Sequence, residues 1–407
     1  MTTFFLNRLA AEPHALAFAG QSTPWPVALA DQTTDPSLDE ALRGHVAAAG
    51  RLLTPVAADL LATTGRPVDL FGFAPNPARL GAAADATASV EGVALTQLGA
   101  LLDLEHLGYS VAQAKPLAVL GHSQGVLAVH MTRAIEAAGS IEAAGKTLNE
   151  ILAVAALIGA AGTRRVRELG LNPKYGEASP MLSVKGATRE QVEALVARVN
   201  NARGPISIAV TNSDNHHVLS GYPEDLAAFA LEAEREHQHQ AKLREQKLHG
   251  GTVFNPTLEY LEVTLPFHSP LMADAVEQTV AWAGACGFDQ KRTRALAEEV
   301  LLNHVDWNAR VKALFDDADP SKLWIVDLGP GNTLGKLIGN VVQGTGIGVV
   351  EATTLAERST LSTLESEPER TQTGRRSPRA SSTPRPAPSW SPSSPSSPAS
   401  RRCCCPA

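Results

Sequence analysis

Cysteine is nearly absent from the body of this 407-residue chain: of its four, Cys286 stands alone and the others are adjacent at 403–405. That distribution supports no disulfide framework, and three consecutive cysteines lack the Cys-x-x-Cys spacing of a zinc site. Cys286 reads as a lone core thiol. Uninterrupted apolar runs of eighteen residues or more are missing too, so no membrane insertion is expected. At the N-terminus, Phe4, Phe5 and Leu6 are followed by Arg8, Glu12, Pro13 and His14 before a secretory core could form, which makes the cytoplasm the default location. A basic stripe is also lacking. The chain carries −7 overall, but residues 371–407 hold six arginines, no lysine and no acid, so the first 370 residues carry −13. Phosphate-backbone recognition needs the opposite sign, and nucleic acid is not expected as a partner.

What remains is an ordinary globular composition, 44% apolar and long enough for two or three lobes. From about Pro368 the composition shifts to Ser, Pro and Arg, with eight prolines and ten serines between Thr371 and Ala407. Such a segment cannot bury a core, and residues 366–407 are expected to be a disordered tail. A native linker and a frameshifted reading of a GC-rich gene both give this composition.

The body alternates strands with helices, the pattern of an α/β protein. Short strands are expected at Leu16–Ala19, Leu117–Leu120 and Trp324–Leu328, and a nearly all-apolar helix over Ile151–Ala161 suits a buried position. A different rhythm starts at Met181: strand (Met181–Lys185), helix (Thr188–Val199), strands (Ile206–Thr211 and His217–Ser220), helix (Pro223 to about Lys242), strand (Tyr260–Leu265). This β-α-β-β-α-β order is the ferredoxin-like split unit. The expected architecture is therefore a hydrolase-like large lobe with a parallel sheet (residues 1–178 and 266–352) and an inserted ferredoxin-like small lobe (179–265).

Gly121-His122-Ser123-Gln124-Gly125 sits between two apolar runs and reads as strand, sharp turn, helix. A Gly-x-Ser-x-Gly turn holds its serine on a strained corner with Oγ exposed, so Ser123 is the candidate nucleophile. Adjacent His216 and His217 face opposite sides of a strand, and His237 and His239 cannot share a helix face, so no metal site is implied. Gly329-Pro330-Gly331 lacks the Gly-Lys-Ser/Thr ending of a phosphate loop.

Four motifs now stand in order: Gly20-Gln21-Ser22, the Gly-His-Ser-Gln-Gly elbow, Pro266-Phe267-His268-Ser269, and Asp327-Leu328-Gly329-Pro330-Gly331. Over about residues 15–350 they resemble the malonyl/acyl-CoA:acyl-carrier-protein transacylase family, which carries a ferredoxin-like insertion at the same place. Gln124 makes the elbow look like that of the N-terminal acetyltransferase domain of type I fatty acid synthase. The resemblance implies Ser123 as nucleophile, His268 as general base and backbone N–H groups of Gln21 and Gln124 as the oxyanion hole. It implies a main-chain carbonyl orienting the histidine, here aligned to Val300, with Asp214 as the acid of a conventional triad otherwise. Malonyl-selective members resemble one another in an arginine after the elbow; Ile158 stands at that position, which implies an uncharged acyl group, acetyl first. Arg164 and Arg165, further along that helix, are read as surface residues. Asn212 matches a residue near the acyl or pantetheine carbonyl and is equally readable as an Asx turn, while His122 is structural or lines the pocket. No permanent cofactor is implied. Acyl-CoA would donate, the phosphopantetheine of an acyl carrier protein would accept, and ketosynthase and other synthase domains would be neighbours. A thioesterase and an inactive scaffold fragment are the other readings of the same residues.

Overall fold

The computed structural model describes residues 4–65, 85–171, 179–200, 205–247 and 253–368. The arginine-rich segment expected to be disordered lies, from residue 369 on, outside the described residues. Two sheets organise the rest. The first is parallel, in the order β2-β1-β8-β9, with β1 (His14–Phe18) flanked by β2 (Ala118–Gly121) and β8 (Trp324–Asp327), and β9 (Gly348–Glu351) at the edge. β1 is buried along its whole length, as a central parallel strand covered on both faces must be, which is why it reads as a continuous apolar run.

The sheet order decides where the motifs meet. β1 has β2 on one side and β8 on the other, all parallel, so the loops after three neighbouring strands gather at one end of the sheet, the crevice where ligands bind in open α/β folds. Those loops are Gly20-Gln21-Ser22 after β1, the elbow after β2 and Gly329-Pro330-Gly331 after β8. Asp327 anchors the last of these: its Oδ1 accepts from Gly329 N at 2.9 Å and its Oδ2 from Gly335 N at 2.7 Å.

Helices α1 (Ala86–His106), α2 (Val126–Ala138) and α3 (Ile141–Glu168) cover the sheet. α3 begins at a Ser140 cap, whose Oγ accepts from Ala143 N at 3.1 Å, and every residue from 151 to 162 is buried. It is long and apolar enough to pass for a membrane span, but 67% of its apolar window is buried within the protein, the mark of an internal helix.

The small lobe follows the expected rhythm. β3 (Met181–Lys185), β4 (Ser207–Ser213), β5 (His216–Ser220) and β6 (Thr257–Tyr260) form an antiparallel sheet ordered β6-β3-β5-β4, with α4 (Arg189–Asn200) and α5 (Pro223–Glu245) closing a separate apolar core. α4 starts in a reciprocal cap: Thr188 N donates to Gln191 Oε1 and Gln191 N to Thr188 Oγ1. One strand is displaced. β6 ends where Tyr260–Leu265 was expected to begin, because Val263 and Leu265, alternating like strand residues, are buried in the core of the large lobe instead. A two-residue strand, β7 (Val305–Asp306), joins the sheet by parallel pairing with β4. It lies between α6 (Gln290–Leu301) and α7 (Trp307–Lys312).

The elbow glycines are steric requirements. A Cβ on Gly121 would run into Val126 N, and one on Gly125 into Phe18 O of β1. Gly125→Ala should therefore destabilise the protein by about 3 kcal/mol through overpacking against backbone, read as a lower urea midpoint at unchanged m-value.

Candidate active site

Ser123 caps the turn with φ of +52°, the left-handed region that a serine occupies only when its surroundings impose it. Backbone bonds impose it here: His122 N donates to Phe18 O and Gly125 N to His122 O, each at 2.9 Å. Ser22 and His268 also have positive φ, at 61° and 57°. Three of the five left-handed non-glycine residues among the described ones thus lie where these motifs meet.

Ser123 Oγ lies 2.7 Å from His268 Nε2. On the other side of the ring, Nδ1 is 2.8 Å from the carbonyl of Asn303. A carbonyl only accepts, so Nδ1 carries the proton and Nε2 is left to accept from the serine hydroxyl. Burial pushes the pKa of His268 down to about 3, and the nearby rings of His122 and His304 and the Arg310 guanidinium act in the same direction. The imidazole is therefore neutral across the physiological range, with its Nε2 lone pair unprotonated.

This arrangement corrects the expected orienting carbonyl. Val300 lies in the last turn of α6, whose carbonyls point along the helix axis, and it is Asn303, two residues past the helix end, that turns its carbonyl onto the ring. Asp214, the triad alternative, sits on the exposed side of the small lobe with Lys312 Nζ at 3.0 Å and Asn308 Nδ2 at 2.6 Å. It makes no bond to His268.

Gln21 and Gln124 meet beside the serine. Gln124 is fully buried, its Nε2 donates to Val90 O of α1, and its Oε1 accepts from Gln21 Nε2. The Gln124 side chain therefore ties the early loop to the elbow. The loop is held again by Thr23 Oγ1, which donates to Gly20 O at 2.9 Å, and by close packing: a Cβ on Gly20 would lie 2.7 Å from His122 O.

Ser123 opens onto a cleft of about 420 Å³ between the two lobes, bordered by Gln21, His122, Asn212, His216 and Tyr260. His122 Nε2 is 2.8 Å from Asn212 Oδ1, and Trp307 packs edge-on against the His122 ring with centroids 5.3 Å apart. Burial holds His122 below its usual pKa, so the neutral ring donates through Nε2. Asn212 is thus committed to a bond across the lobes rather than to a local turn. Beyond it, His216 Nε2 faces Ser183 Oγ at 3.0 Å, and burial lowers the His216 pKa to about 4. Strand alternation sends His217 the other way, into full burial.

Ile158 does not reach this cleft. It is fully buried on α3, inside the run of residues covered on every side, so its place is in packed core. The polarity of the cleft comes from other residues: among those lining it there is no arginine, and its one lysine, Lys185, pairs with Glu259 at 3.1 Å. Arg164 and Arg165 lie away from it, Arg164 bonded to Glu168 and Gln278 and Arg165 to Asp274 and Leu271 O.

Nothing in the sequence pattern marks the roles of Asn303, Trp307, His216 or Arg310. The first three depend on how the return segment crosses the elbow and how the small lobe faces it. A spacing rule carries neither.

The chain is similar to known proteins in sequence and in fold. Residues 180–260 match the family model described as the fatty acid synthase central AT domain. The fatty acid synthase beta subunit TOXC of Cochliobolus carbonum is 26% identical over 270 residues, 57% of this chain and 12% of the relative, so the chain spans about an eighth of that protein's length. Among solved structures, FabD from Acinetobacter baumannii superposes with a TM-score of 0.55 at 18% identity, covering 86% of this chain and 98% of that one. A type II polyketide malonyl-transacylase, solved in complex with its acyl-carrier protein, gives 0.57 at 16%, covering 86% and 99%. In its motifs, its small lobe and its fold, the chain fits the malonyl/acyl-CoA:acyl-carrier-protein transacylase family.

Proposed function

We propose that this chain transfers a short uncharged acyl group, acetyl first, from coenzyme A to the phosphopantetheine thiol of a carrier protein through an ester on Ser123. The observation that carries the reading is the continuous chain from Asn303 O through both nitrogens of His268 to Ser123 Oγ. Ser123 Oγ attacks the thioester carbon while Nε2 takes its proton. The oxyanion forms against the backbone N–H groups of Gln21 and Gln124, each such donor contributing about 3 kcal/mol to the tetrahedral intermediate. Collapse expels the CoA thiolate, which recovers the proton from Nε2. The pantetheine thiol then repeats the sequence in reverse, and CoA and pantetheine act as substrates with no resident cofactor.

Acetyl selectivity rests on the charge of the cleft more than on Ile158. A malonyl carboxylate would find two glutamates, one paired lysine and two imidazoles held neutral by burial, with no free cation among the lining residues. An unpaired buried carboxylate costs several kcal/mol. Because water must not intercept the ester, the small lobe is read as the cover of the site. The kinship with fatty acid synthase beta subunits supports a cytoplasmic priming role beside carrier and ketosynthase domains. Residues 1–178 and 266–352 then form the catalytic lobe and 179–265 its cover.

Intact-protein mass after brief incubation with acetyl-CoA or malonyl-CoA tests the chemistry. The expected result is an acetyl adduct absent from Ser123→Ala and weak with malonyl-CoA. Rapid malonyl loading contradicts the selectivity, and CoA release without an adduct points to a hydrolase. His268→Ala should slow loading by about 10²- to 10⁴-fold.

The pH profile has a definite sign. A histidine pushed down to about 3 stays deprotonated through the acid range, so kcat/KM for acylation should be level from pH 8 to pH 5, measured by quenched-flow mass spectrometry. An inflection at the ordinary histidine value, near 6.5, would contradict it. Linkage runs the same way: the unfolded histidine binds a proton near 6.5 and the folded one only near 3, so this group's contribution to stability is lost as pH falls through that window.

A further inference from the structure

The segment from Asn303 to Arg310 touches the catalytic histidine, the small lobe and the elbow. Asn303 O holds His268, His304 Nε2 is 3.1 Å from Thr211 Oγ1 on β4, and Val305 and Asp306 pair with the same strand. Trp307 then packs on His122, and one turn later Arg310 Nη1 donates to Gly121 O at 2.9 Å. Gly121 ends β2, two residues before the nucleophile. Among the described residues no carboxylate lies within ion-pair distance of Arg310, and a carbonyl of the elbow takes its hydrogen bond instead.

We propose that Arg310 is the positioning residue of the nucleophile elbow: its bond to Gly121 O fixes the end of β2 and thereby the left-handed backbone that aims Ser123 Oγ at His268. The geometry explains why a guanidinium is used. Gly121 cannot be clamped by a side chain of its own, since any Cβ there would strike Val126 N, so the restraint has to reach in from another element. Trp307 and Arg310 lie three residues apart on α7, on one side of the helix, and grip the two residues preceding Ser123. Asp306, whose Oδ1 accepts from Ala309 N at 2.9 Å, caps α7, so the same short helix is fixed both to β4 and to the elbow. The guanidinium's charge, acting after burial, helps keep both His122 and His268 neutral. Small-lobe position and nucleophile alignment are thereby mechanically linked.

The inference rests on Ser123 being the acylated nucleophile, and its test separates that from the choice of acyl donor. Ser123 is titrated in the full chain with a fluorophosphonate, which needs only an aligned nucleophile, and in parallel with acetyl-CoA. Arg310→Ala should lower the phosphonylation rate about tenfold or more, lower kcat for acetyl loading equally and leave KM for acetyl-CoA within about twofold. Arg310→Lys should restore part of the rate. Lys312→Ala, on the same helix but paired with exposed Asp214, should behave as wild type. Should Arg310→Ala fail to melt cooperatively, Arg310→Gln is read in its place. Wild-type labelling by the Arg310 variants, a loss confined to KM, or an equal loss in Lys312→Ala overturns the proposal. A wild-type protein that takes the phosphonate but not acetyl-CoA overturns the transferase reading while still measuring the role of Arg310.

Discussion

Everything in this site depends on a backbone held where a serine does not go unaided. The left-handed conformation of Ser123 costs of order 1–3 kcal/mol, and it persists because the elbow is restrained from several sides. β1 takes the amide of His122, Gly121 and Gly125 let strand and helix touch, and the side chain of Gln124 binds the elbow to α1 and to the loop after β1. The corner is rigid because parallel strands end together, so three loops support one another at the crevice. The function needs that rigidity, since a near-attack geometry loses its benefit when the reacting atom is free to wander.

Electrostatics is the second constraint. His122, His216 and His268 are all held neutral by burial, and the one lysine of the cleft is neutralised by a glutamate. A buried neutral imidazole keeps its acceptor lone pair available over a wide pH range, and the Asn303 carbonyl orients it without adding a negative charge. In an aspartate-supported triad the imidazolium is stabilised by a full charge. In the proposed transfer, the proton taken from serine returns to the departing thiolate through the same nitrogen.

The legible parts of the sequence were those written locally. The elbow follows from five residues and their apolar flanks, the buried helix from a run of small apolar residues, and the split β-α-β-β-α-β order from alternation. What failed depended on placement in three dimensions. Val263 and Leu265 alternate like a strand yet serve the other lobe's core, and Ile158 is buried in α3 rather than presented to the cleft. The carbonyl that orients His268 belongs to Asn303 because the chain turns back after α6, an event with no residue signature that distinguishes it from Val300. Arg310 was invisible for the same reason, since its partner is a backbone atom 189 residues away in sequence.

The most direct measurement is a crystal structure of the protein trapped after brief exposure to acetyl-CoA at low temperature. The account predicts an ester on Ser123 Oγ with its carbonyl oxygen within hydrogen-bond distance of the backbone nitrogens of Gln21 and Gln124, and His268 still held by Asn303 O. An ester on another residue, or a carbonyl oxygen turned away from those two nitrogens, would contradict it.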